Sequence, residues 1–198
     1  MSEIDTAEPS SAAPQPAAGK PKKSATAQLV EWLVVVAVAI GCALLVQTFV
    51  VKQFAVSGNS MLTTLHNGDR VLVNRLSYRL HDPRRGDVVV LKRFDVANTE
   101  RDLIKRVIGL PGESVEIRDC EVYIDGQRLI EPYLDAVEAP CTTPGQQNPF
   151  NVPEDEVFVM GDNRDNSGDS RMFGSVPYDL LIGRAFIVIW PIGDWQWL

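Results

Sequence analysis

Histidine is almost missing from this chain of 198 residues, which carries only His66 and His81. Neither belongs to an HExxH pattern or to a zinc-ligand cluster, so metal-assisted hydrolysis has no sequence support. A Ser-His-Asp triad would rest on His66, whose neighbours Asn67 and Gly68 mark a turn instead. Nucleotide-cradling motifs of the P-loop and GxGxxG types are also lacking. No basic stripe appears: the net charge is -7 and the sequence pI is near 4.9. That balance argues against nucleic acid as a partner, because phosphate contacts need clustered Lys and Arg. Cysteine is scarce, with three residues, which excludes a disulfide-dense miniprotein. At 45% hydrophobic and 23% charged, the chain is neither collagen-like nor disordered throughout.

Long apolar runs are limited to one, and it divides the chain into three parts. Residues 1–28 are rich in Ala, Ser and Pro, lack aromatics and read as a disordered tail. Residues 29–51, LVEWLVVVAVAIGCALLVQTFVV, hold a single charge, Glu31, in the first turn beside Trp32. As a helix this run extends about 34 Å, enough for a hydrocarbon core of roughly 30 Å. It is apolar all round, unlike the stripe of a soluble helix, and longer than the h-region of a cleavable signal, so it reads as a retained anchor. Lys20, Lys22 and Lys23 precede it and only Lys52 follows closely. The positive-inside rule therefore places the N-terminus in the cytoplasm and the remainder outside.

Residues 52–198 read as the third part, an extracytoplasmic domain, and the surplus acid lies beyond Lys52, since Glu3, Asp5, Glu8 and Glu31 are matched by Lys20, Lys22, Lys23 and Lys52. Short β-branched runs recur in it: RVLVN (70–74), DVVVL (87–91), SVEI (114–117), EVYI (121–124), EVFVM (156–160) and AFIVIW (185–190). Asp125-Gly126 signals a hairpin and Pro111-Gly112 another reversal. With no long amphipathic helix evident, the expected fold is mainly β, an antiparallel sheet behind one transmembrane helix. Residues 135–154 are expected to form a Pro-rich loop. Cys120 and Cys141 either form one bridge or stand as two separate small apolar residues.

Three dense segments remain: SGNSMLTTL from Ser57, LIKRVIGLPGE from Leu103 and GDNRDNSGDSR from Gly161. Unaided, the last suggests a polar turn or a calcium loop, but EF-hand spacing and its terminal Glu are absent. In this order behind an anchor, and with GDVVV from Gly86, the segments closely resemble bacterial type I signal peptidases. The resemblance implies a membrane-bound serine endopeptidase that removes signal peptides from exported preproteins, with no metal and no cofactor. Ser60 is implied as nucleophile and Lys105 as general base. Ser167 is implied to hydrogen-bond and orient Lys105, with Asp169 and Arg171 as a supporting ion pair.

That chemistry requires a neutral amine. A free lysine titrates near pH 10.4, so neutrality near pH 7 to 8 needs roughly 3 to 4 kcal/mol favouring the uncharged form, which burial can supply. Ile104, Val107 and Ile108 put Lys105 in an apolar strand, and alternation lets Arg106 point elsewhere. The backbone N–H of Ser60 is the implied oxyanion donor. Some family members place a second donor, a serine hydroxyl, at the position of Gly58, so here Ser57 or another group must replace it. Thr63 stands where the family often has proline. Phe54, Val56, Met61, Leu65, Val90, Leu103 and Ile104 are implied to line shallow pockets for small side chains one and three residues before the cut.

The lipid bilayer is the second expected partner, and Trp190, Trp195 and Trp197 suit its interface. A Ser/Lys self-cleaving repressor would share the catalytic logic, but it would carry a DNA-binding segment in place of the anchor. A tethered binding protein with a degenerate site is disfavoured by retention of both Ser60 and Lys105.

Overall fold

The computed structural model describes residues 24–94, 99–134, 148–193 and 195–198. It divides between Gly41 and Cys42 into two compact units. The first is most of a helix, α1 (Ala25–Phe49). Ser24 caps it, its Oγ accepting from Ala27 N at 3.3 Å, so the last residues of the expected disordered tail, 25–28, are helical instead. The apolar side chains of α1, among them Trp32, Leu33, Ile40 and Leu45, are exposed all round, and its segment Ala25–Gln47 is long and apolar enough to cross a membrane. The helix stops at Phe49, and Val51, read from sequence as the end of the anchor, already belongs to a strand.

The second unit is antiparallel β. Its strands are β1 (Val51–Ala55), β2 (Arg70–Asn74), β3 (Val88–Phe94), β4 (Glu100–Gly109), β5 (Ser114–Arg118) and β6 (Glu121–Ile124). They continue as β7 (Gln127–Arg128), β8 (Phe150–Asn151), β9 (Glu156–Met160), β10 (Val176–Pro177), β11 (Leu181–Trp190) and β12 (Gln196–Trp197). The larger sheet runs β1-β2-β11-β3-β4-β9-β10, with β12 also paired to β11, and the smaller runs β7-β6-β5-β8. Each β-branched run expected as a strand is one. The hairpin at Asp125-Gly126 joins β6 to β7, both turn residues having positive φ. Part of the expected 135–154 loop is different: Phe150 and Asn151 form β8, which borrows its partners from Val115 and Ser114.

Period-two alternation builds the core. In β3, Val88 and Val90 join one apolar cluster with Met61, Leu65, Val71 and Val73. Val89 and Leu91 join another with Val107, Val157 and Val159. A strand buried on both faces needs a continuous apolar run, as DVVVL supplies. A third cluster around Phe158, Ile108 and Val122 couples the small sheet to the large one. Cys120 is disulfide-bonded, one of the two alternatives the sequence leaves open, and Cys42 is free; Cys141 lies outside the described residues.

Candidate active site

The loop between β1 and β2 carries Ser60. It is closed at its base by backbone bonds from Val56 N to Asp69 O (2.8 Å) and from Gly68 N to Val56 O (3.0 Å). Next to Ser60, Met61 is 1% exposed, and Leu65, whose N–H donates to Met61 O, is fully buried. These two side chains plug the loop into the core beneath β2 and β3. They do not line the expected pocket, because the turn directs them inward. Gly58 has φ +92°, a conformation costly for a side chain, and its N–H donates to Asn67 Oδ1 at 2.9 Å. Gly58 thus has neither a hydroxyl nor an uncommitted amide, which removes it as an oxyanion donor.

Lys105 comes from β4, paired with Val89 of β3. It is 3% exposed. Its Nζ donates to Ser60 Oγ at 2.7 Å and to the carbonyl of Ile104 at 3.0 Å. Burial pushes its pKa down from 10.5 to about 8, against the opposing pull of Asp169 and Asp162, while Arg171 adds to the depression. Arg106, the next residue, has other partners. Its guanidinium donates to Asp162 Oδ1 (2.9 Å) and Oδ2 (2.7 Å), to Gly86 O (2.9 Å) and to Thr64 Oγ1 (3.0 Å), and lies 3.9 Å over the Tyr133 ring. A buried charge with its donors this fully used is paired, so it adds little to the field at Lys105.

The third segment, beginning after β9, wraps the Ser60 loop. Asn163 N donates to Ser60 O and Asn163 Nδ2 to Asn59 O, both at 3.0 Å. Asp169 Oδ2 accepts from Gly161 N at 3.0 Å, and the same carboxylate holds Arg171 through bonds of 2.8 and 2.9 Å. Gly161 packs so closely that a Cβ there would collide with Ser167 and the Ser60 carbonyl. The hydrogen bond expected between Ser167 and Lys105 is not formed: Ser167 Oγ is buried without a partner. Arg164, also buried, is tied to Glu131, which fixes the chain beside Tyr133.

A cavity of about 100 Å³ opens beside the pair. Of the expected lining residues, Phe54, Val56, Val90, Leu103 and Ile104 are there, and Ser57 and Ser60 share its wall. Ala55, Val71 and Asp102 line it as well, and sequence reasoning passed over them. Strand alternation around Phe54 and Leu103 hid which neighbours turn toward the opening. Asp162, Asn163 and Thr64 carry no sequence expectation although each lies inside one of the dense segments, and Arg106 is expected only to point away from Lys105, as it does.

Residues 29–190 match the family described as "Signal peptidase, peptidase S26". Signal peptidase I of Leptolyngbya laminosa is 39% identical over 196 residues, covering 96% of this chain and 93% of that one. Signal peptidase I T of Bacillus subtilis is 35% identical over 181 residues, covering 88% and 92%. A crystal structure of a signal peptidase I from Enterococcus faecalis is 35% identical, covers 52% of this chain and 97% of that one, and superposes with a TM-score of 0.44. The chain that brings a serine and a buried lysine together behind an apolar helix belongs to the signal peptidase family, peptidase S26.

Proposed function

We propose that this protein removes signal peptides from exported preproteins, with Ser60 as nucleophile and Lys105 as its general base. What supports the reading above all is the 2.7 Å contact between Lys105 Nζ and Ser60 Oγ. With a pKa of about 8, the amine is neutral in a useful fraction of molecules near neutral pH. Its lone pair then takes the Ser60 proton as the oxygen attacks the scissile carbonyl, and the Ile104 carbonyl holds the amine in line. The tetrahedral oxyanion sits near the Ser60 backbone N–H, with the Ser57 hydroxyl at the cavity wall as the candidate second donor. The ammonium returns its proton to the leaving amine, the C–N bond breaks, and an ester on Ser60 remains. Water then attacks that ester, Lys105 takes its proton and returns one to Ser60 Oγ.

Asp169 and Arg171 act as positioning residues, because the carboxylate fixes the Gly161 amide and so the segment against which Ser60 rests. Ser167 packs against Gly161 of the same segment, its hydroxyl buried. The small apolar cavity favours methyl-sized side chains before the cut. The protein is anchored by α1, with its N-terminus in the cytoplasm and the peptidase domain on the export side, by the lysine asymmetry across the span. Trp190, Trp195 and Trp197, all exposed, rest against the bilayer interface. The test incubates the detergent-solubilised full chain with a preprotein beside Ser60→Ala and Lys105→Ala. Product from wild type alone is expected; equal product from all three overturns the assignment.

A further inference from the structure

Resting on the signal-peptide reading above, we infer that an apolar groove at the junction of α1 and β1 receives the hydrophobic helix of the preprotein. The groove measures about 530 Å³ and is walled by Cys42, Ala43, Val46 and Gln47 of α1 with Val51 of β1 and Leu72 of β2. The four helix residues share one face at spacings of one and four, and Cys42 and Ala43 are small enough to let a second helix approach closely. All four lie within the apolar span, or at its edge, so this wall stands at bilayer depth, where an inserted signal helix also stands.

Continuity with the catalytic cavity distinguishes this occupant from a lipid tail. Val51, Gln53 and Ala55 fall on one face of β1 by period two; the first two wall the groove, and Ala55 lines the cavity beside Ser60. The step from Val51 to Ala55 is about 13 Å, which an extended chain crosses in about four residues. A helix seated in the groove can therefore unwind and deliver its next few residues to Ser60. Gln47 and Gln53, both exposed in the groove wall, offer amide donors. The last carbonyls of a helix need such donors, and a hydrocarbon tail cannot use them.

The experiment uses the full chain reconstituted in phosphatidylethanolamine and phosphatidylglycerol vesicles. Its substrates are a membrane-inserted preprotein and a short peptide that spans the same cut without the apolar segment. Filling the groove with Ala43→Trp and Val46→Trp together is expected to lower the ratio of preprotein to peptide cleavage about tenfold or more, the equivalent of about one buried aliphatic side chain. An unchanged ratio overturns the inference. A second measurement covers the case in which the double variant misfolds. A benzophenone amino acid replacing Val46 in a Ser60→Ala background is expected to cross-link to the apolar segment of the preprotein, whereas adducts to lipid alone overturn the docking. Failure of the wild type to cut the short peptide would strike the signal-peptidase reading itself, which keeps the two failures apart.

Discussion

Gly161→Ala is the perturbation that asks most of the active-site geometry. An added Cβ would lie 2.6 Å from Ser167 Cβ, and it would press on Ser167 Oγ and on the backbone carbonyl of Ser60. Ordinary carbon contacts are about 3.5 to 4.0 Å, so the two segments must separate by roughly 1 Å. The Ser60 carbonyl cannot swing aside freely, because Asn163 N holds it at 3.0 Å and Met61 beside it is locked in the core. Overpacking of this kind costs about 1 to 3 kcal/mol of stability. A displacement of about 1 Å between nucleophile and base costs about a hundredfold in rate. The expected result is therefore a kcat for peptide cleavage about a hundredfold down, with KM changed little and a modest fall in Tm. Gly168→Ala in the same segment is the control, since its Cβ would meet only Met172 Sδ at 3.8 Å, an ordinary contact. Wild-type kcat in Gly161→Ala, with Tm unchanged, would refute the close packing of these segments.

With Lys105 as the proposed base, its titration should set the pH dependence of cleavage. Its folded pKa of about 8 lies below the unfolded 10.5, so kcat/KM should rise with pH to a plateau above about 8, falling about tenfold per unit below it. A flat profile from pH 6 to 10 would count against the amine as base. The same depression has a stability sign: between about 8 and 10.5 the unfolded chain holds the extra proton, so folding gains from this group as pH rises through that window. Below it the buried ammonium costs about 3 kcal/mol, and Lys105→Met should raise Tm at pH 7 relative to wild type, more than at pH 10. Ile104→Ala should widen the cavity and improve cleavage after valine or leucine relative to alanine about tenfold, as competition between two preproteins would measure. An unaltered preference would remove Ile104 from the pocket wall. His66→Ala and His81→Ala, both exposed positions, together with excess chelator, should leave cleavage within about twofold of wild type; collapse under any of them would point to triad or metal chemistry.

How far the sequence carried the fold depended on what stabilises each element. Runs such as DVVVL and EVFVM specify strands by themselves, because four adjacent buried β-branched or large apolar residues have no other low-energy placement in a β domain. β8 escaped notice because Phe150 and Asn151 have no such run and are held by β5. β1 escaped because its apolar residues continue those of the span, and only the tertiary pairing of Val51 with Asn74 ends the helix before it. At the site, Ser60 and Lys105 were legible through their motifs, although their 2.7 Å contact depends on a loop closure that no local pattern encodes. Met61 and Leu65 were assigned to the pocket and belong to the core, since an apolar residue in a turn does not declare which side it will bury. Ser167 was expected to reach Lys105, yet the amine finds the Ile104 carbonyl and leaves that hydroxyl unpartnered.

The central claim is a buried lysine amine whose lowered pKa leaves a useful fraction of it uncharged against a serine hydroxyl near neutral pH, and direct titration of that amine tests it most closely. With the full chain in micelles and lysines labelled with ¹³C, the resonance absent from Lys105→Met should titrate with a midpoint near 8. A midpoint above about 10, that of a solvated lysine, would contradict the account.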